Sequence, residues 1–256
     1  MTIQRQLAAE GVGTALLAAM SIGSCMMSQR LGSSPSAALL SSALACGFGL
    51  FALISCFGKV SGAHFNPVLT LSESCQGNIS PSLAAAYVGV QCIGAFAGVA
   101  AAHVMFGAAL FEAAAIARSD TTQWASEFIA TFGLIGVCIG STRQRTGIGP
   151  FAVACYVIAA FWFTPSSAFT NPAITLAKAA TASAVGIRLS DVPGFVFAQF
   201  CGGLASTCFF GWLYSTQDSD AAAISQLSSI TPAAPAAPRA PSPHYASKAM
   251  NPGRMS

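Results

Sequence analysis

Long apolar runs separated by short polar breaks occupy residues 7–28, 37–58, 83–109, 124–142, 148–163 and 192–214. Each approaches or exceeds the ~17–25 residues that a helix needs to cross a bilayer, so the pattern predicts six membrane-spanning helices. Glu10 breaks the apolar core of the first run, which favours a retained helix over a cleaved leader. The apolar pattern stops after Tyr214, and residues 215–256 are rich in Ala, Ser and Pro. Such a segment buries too little surface to offset its ordering entropy, which predicts a membrane domain over 1–214 and a disordered tail over 215–256.

Two shorter apolar segments break off in the same way. Ser61-Gly62-Ala63-His64-Phe65-Asn66-Pro67-Val68 and Ser166-Ser167-Ala168-Phe169-Thr170-Asn171-Pro172-Ala173 align at a constant offset of 105 residues. Asparagine is a strong helix N-cap and proline suits the first helical position, so each Asn-Pro predicts a helix start. Helices from Pro67 to about Gln76 and from Pro172 to about Thr181 are each ~15 Å long, and two end to end cover a ~30 Å hydrocarbon core.

Other landmarks recur in the same order. Glu10, followed four residues on by Thr14, matches Glu127 and Thr131; Gln91-x-x-Gly94 matches Gln199-x-x-Gly202. The repeats cover about 5–110 and about 122–214. Each holds three spans, an odd number, so the second enters the membrane from the opposite face, an inverted repeat whose site belongs where the halves meet. The half-helices then meet N-terminus to N-terminus, a junction that repels cations and protons. The extended stretches before each cap are tolerated at membrane depth only where they are buried in protein or line a water-filled cavity, so their carbonyls are expected along a pore.

Composition agrees with a lipid environment: 54% of residues are hydrophobic and 7% charged. The net charge of +3 includes no basic run able to track phosphates, which argues against a nucleic-acid partner. Most of the nine cysteines, among them Cys25, Cys46, Cys92, Cys138, Cys155, Cys201 and Cys208, fall inside apolar runs without metal-ligand spacing and read as small packing residues. No His/Asp/Glu cluster or nucleophile–base pair in the spans points to an enzyme, a metal or a cofactor. Lys and Arg divide evenly between the loops of the two sides, and only Arg239, Lys248 and Arg254 of the tail favour cytoplasmic N- and C-termini.

At SGAHFNPV, TNPA, the paired glutamates and the paired Gln-x-x-Gly signatures, the chain resembles the major intrinsic proteins, the aquaporin and aquaglyceroporin family. The resemblance covers about residues 5–214 and implies an all-α membrane protein with six transmembrane helices and two re-entrant half-helices. It also implies one pore per protomer, a homotetramer in the lipid bilayer, and passive conduction of small neutral solutes. Glu10 and Glu127 are then expected to accept hydrogen bonds from the re-entrant backbones, and His64 to anchor its loop.

The chain departs from the family pattern at two places. Val68 stands where the first motif has alanine, and Ile174 stands where an arginine usually follows the second. Spacing from Asn66 and Asn171 carries the family's narrow filter onto Cys46, Ala159, Ala168 and Ile174, a set without aromatic, histidine or arginine. A filter so small and uncharged favours solutes larger than water, such as glycerol and metalloid hydroxides. Phe161-Trp162-Phe163-Thr164 also looks like bacterial members associated with arsenic detoxification, which places As(OH)3 ahead of glycerol and the protein in a bacterial plasma (inner) membrane. A water-selective channel and a proton-coupled secondary transporter are the alternatives.

Overall fold

The computed structural model describes residues 1–143 and 147–215, so the predicted tail lies almost wholly outside the described residues. Residues 1–214 form one compact unit. Among the described residues eight α-helices follow in order: α1 Ile3–Arg30, α2 Pro35–Ser61, α3 Pro67–Cys75, α4 Pro81–Phe106, α5 Thr121–Arg143, α6 Gly149–Phe163, α7 Pro172–Lys178 and α8 Val192–Leu213. The described residues contain no strand.

Five helices are long and apolar enough to cross a membrane; α6, with 15 residues, is shorter. At 1.5 Å per residue α6 spans ~22 Å. It stops at Phe163 because Pro165 disfavours helix at Thr164, which turns extended. The half-helices begin at the predicted prolines. The first ends at Cys75, and the second stops three residues before the expected Thr181 because Ala179 and Ala180 close tighter turns onto Leu176 and Ala177.

The halves mirror each other in packing. In the first, α1 packs on α4; in the second, α5 packs on α8; and α2 lies on α6 across the repeat. Glycine permits this approach: a Cβ at Gly94 would sit 2.3 Å from the Gly11 carbonyl oxygen, and one at Gly202 would sit 2.3 Å from that of Phe128. The small residues at these spacings therefore serve helix contact.

Each half-helix is buried against the opposite half. Ala173, Ile174 and Ala177 of α7 join Ala18, Ile22, Ala95 and Val99 of α1 and α4 in one core cluster. Val68 of α3 packs with Ile135 and Ile139 of α5. The extra bulk of Val68 is accommodated by Gly203, where a Cβ would lie 2.0 Å from Val68 Cγ1. Exchange of the half-helices brings their N-termini together at the centre.

Candidate functional site

The two stretches that precede the half-helices repeat one left-handed winding. Gly62, Ala63 and Phe65 have φ of 91°, 54° and 50°, and their equivalents Ser167, Ala168 and Thr170 have 60°, 45° and 48°. Such a conformation costs a non-glycine residue about 1–2 kcal/mol. Backbone N–H groups exposed by the winding are taken up by the two buried glutamates. Glu10 accepts from the N–H of His64 (2.9 Å) and Phe65 (2.7 Å), from Ser61 Oγ (2.6 Å) and from Gln91 Nε2 (2.9 Å). Glu127 accepts from the N–H of Phe169 (2.8 Å) and Thr170 (2.8 Å) and from Gln199 Nε2 (2.7 Å).

The glutamines extend both networks to the half-helices, Gln91 donating to Thr70 Oγ1 and Gln199 to Thr175 Oγ1, each at 2.9 Å. These threonines and Ser61 were not singled out from sequence, although the 105-residue offset pairs Thr70 with Thr175. His64 is held on three sides: its N–H by Glu10, its Nδ1 at 3.1 Å from Thr70 Oγ1, and its ring edge-on to Tyr87.

At the meeting point each asparagine does two jobs. Asn66 Oδ1 accepts from the Val68 N–H at 2.9 Å, and Asn171 Oδ1 accepts from those of Ala173 and Ile174 at 3.1 and 3.3 Å. Their amides reach across the repeat: Asn66 Nδ2 donates to the Thr170 carbonyl and Asn171 Nδ2 to that of Phe65, both at 2.7 Å. Of the two N–H groups on each amide, one is thus committed to the opposite loop, and one remains for the lumen.

Both asparagines line a central cavity of about 90 Å³. Ala63, His64, Phe65, Ala168, Phe169 and Thr170 line it too, so both extended stretches run along its wall. Pro67, Val68, Pro172 and Ala173 stay out of it, buried in helix packing. A vestibule of about 200 Å³ lies toward the end of α7, and Phe161, Phe169 and Lys178 line both spaces. These three side chains form the threshold between them.

Three of the four expected filter positions, Cys46, Ala168 and Ile174, line the cavity. Ala159 does not: it is exposed on the outside of α6, and Phe161, ten residues before Asn171 rather than twelve, packs against Cys46 in its place. Two residues turn a helix by about 200°, so this slip moves the side chain from the outer surface to the pore.

A second correction follows, for the pore is neither free of aromatics nor free of cations. Lys178 is 4% exposed, and its Nζ lies 3.7 Å from the centroid of the Phe169 ring. Arg118 Cζ stands 4.9 Å from the same ring. Arg118 Nε donates to the Gly186 carbonyl at 3.0 Å, and its backbone N–H to Asp191 Oδ2 at 2.7 Å. Burial pushes the Arg118 guanidinium below its ordinary value, yet a guanidinium stays charged in proteins. Lys178 is legible in retrospect: Asn171, Ile174 and Lys178 follow the i, i+3, i+7 spacing of one helical face. Arg118 has no such signal, because a loop delivers it.

The sequence profile of the Major intrinsic protein family matches residues 1–163. Aquaglyceroporin AqpS of Rhizobium meliloti is 38% identical over 211 residues, covering 82% of this chain and 91% of that protein. Aquaporin-2 of Rattus norvegicus is 31% identical over 227 residues, 83% of this chain and 80% of its own. Among solved structures, the aquaglyceroporin from Plasmodium falciparum superposes with a TM-score of 0.66 at 19% identity, covering 82% of this chain and 96% of that one.

Proposed function

The chain belongs to the major intrinsic protein family, an integral membrane channel fold for small solutes, and from that premise we propose a passive pore for small neutral hydroxylated molecules. The observation that carries the reading is the junction of α3 and α7, where two half-helices end on a cavity lined by Asn66 and Asn171. Helix N-termini carry partial positive charge, so a cation or a proton meets a barrier there. An uncharged solute meets only hydrogen-bonding groups: the free amide N–H of each asparagine as donor and the wound backbones as acceptors.

At the threshold Phe161 and Phe169 present apolar faces and Lys178 an ammonium. That combination suits a solute with a compact apolar or polarisable centre and several hydroxyls. Glycerol and As(OH)3 both fit the description, each neutral near pH 7 with three hydroxyl groups. Small side chains at Cys46, Ala168 and Ile174 leave room below the aromatic pair. We assign metalloid hydroxides such as As(OH)3, together with glycerol, as the solutes, and aquaglyceroporin AqpS, the bacterial relative, supports a channel that passes more than water. The assignment includes a homotetramer in a bacterial plasma membrane, with both termini on the cytoplasmic side.

Stopped-flow swelling of proteoliposomes with water, glycerol, urea and As(OH)3 tests the reading. Entry of glycerol and As(OH)3 rises in proportion to their gradients and ignores an uncoupler. Water entry alone supports a water-selective pore instead, and uptake that collapses with the proton gradient supports a coupled transporter.

A further inference from the structure

Two cationic side chains converge on the vestibule, and no carboxylate lines it. Lys178 Nζ lies over one ring, that of Phe169, and among the described residues no oxygen accepts a hydrogen bond from it. Arg118 reaches the same ring and donates from its side chain only to the carbonyls of Gly186 and Ser166. Because both charges sit on one aromatic ring, they lie inside the Debye length of ~10 Å at 0.1 M salt and repel each other.

The neighbouring carboxylates are engaged elsewhere. Asp191 accepts the Arg118 backbone N–H and two side-chain hydrogen bonds from Arg188. Glu127 is filled by the N–H groups of Phe169 and Thr170 and by Gln199. A cation–π contact offsets about 0.5–2 kcal/mol, less than the several kcal/mol that taking an ammonium out of water costs. The unpartnered, almost fully buried ammonium therefore calls for a negative ligand from solution.

The geometry points to a small-anion site: the vestibule holds one monovalent anion of the size of chloride or nitrate between Lys178 and Arg118. The site rests on the channel reading only in that its occupant stands in the path of the solute. The anion is held and not conducted. Beyond the threshold an anion leaves Arg118, which lines the vestibule alone, and passes an apolar stretch of wall made by Leu50, Ile54, Leu134 and Val153. The position equivalent to Lys178 in the first repeat, 105 residues earlier, is Glu73, a like charge toward the opposite end of the pore. An occupant at the threshold competes with the neutral solute, so anions in the medium regulate flux.

Glycerol swelling in a sucrose-balanced medium without small anions, titrated with nitrate, tests the site, each protein being normalised to its own nitrate-free rate. Wild-type flux falls saturably, by about threefold when nitrate reaches twice its dissociation constant, following 1 + [L]/Kd for a competitor that must leave before solute enters. Lys178→Arg keeps the inhibition and Lys178→Met loses it. An unchanged wild-type rate, an equal fall in Lys178→Met, or a nitrate current across the bilayer overturns the site. If Lys178→Met does not insert, bromide anomalous diffraction from wild-type crystals decides. A peak between Nζ and the guanidinium supports the site, and its absence overturns it. Nitrate-free flux above that of protein-free liposomes is the separate readout for the channel itself.

Discussion

Replacing Glu10 by glutamine keeps the size of the side chain and removes its charge. The carboxylate accepts four hydrogen bonds, two on each oxygen: Ser61 Oγ and the His64 N–H on one, the Phe65 N–H and Gln91 Nε2 on the other. A glutamine can accept only through its single oxygen, so its amide nitrogen faces two donors that lose their partner. Hydrogen bonds to charged groups contribute about 1.5–3 kcal/mol each, so losing two costs about 3–6 kcal/mol. The cost falls on a loop already wound through left-handed Ala63 and Phe65, whose carbonyl holds Asn171 across the repeat. Thermal unfolding in detergent is expected to drop by about 6–24 °C for a chain of this size. Glycerol flux per inserted protein falls with it, because the loop lines the pore. Glu127→Gln, which displaces fewer donors, costs less. A Glu10→Gln protein that melts and conducts like wild type, or a larger loss at Glu127, refutes the reasoning.

Three further substitutions probe the pore. Phe161→Ala widens the gap between vestibule and cavity and raises entry of four-carbon polyols relative to glycerol, whereas Ala159→Leu, on the exposed side of α6, leaves the solute profile unchanged; the two are compared with wild type by swelling with a polyol series. Ile174→Arg adds a third cation and a long side chain below Lys178 and reduces glycerol and As(OH)3 flux more than water flux, and equal reduction of all three would sink the placement of Ile174 in the pore.

The parts of the site that sequence reveals are those governed by local rules. Asn66-Pro67 and Asn171-Pro172 start helices because capping chemistry acts within a few residues, and the structure begins α3 and α7 at those prolines. The glutamate and glutamine pairs were visible because duplication repeats them in order, and both glutamates bind the re-entrant backbones. Ala159 was misplaced because helical spacing cannot be carried through Pro165 and the turn after it, where the chain is not periodic. Arg118 escaped notice because its position at Phe169 arises from a loop folding back over α7, a contact between residues distant in sequence. Lys178 fell within the expected half-helix from Pro172 to about Thr181 without being assigned to the pore, and it lines the cavity because it shares a helical face with Asn171 and Ile174.

The most direct test of a neutral-solute pore measures glycerol entry and proton entry in the same proteoliposomes, one by light scattering and the other by an enclosed pH dye. The meeting of the α3 and α7 N-termini over Asn66 and Asn171 predicts glycerol entry well above that of protein-free liposomes while proton entry stays at their level. Proton entry that rises in step with glycerol entry would contradict it.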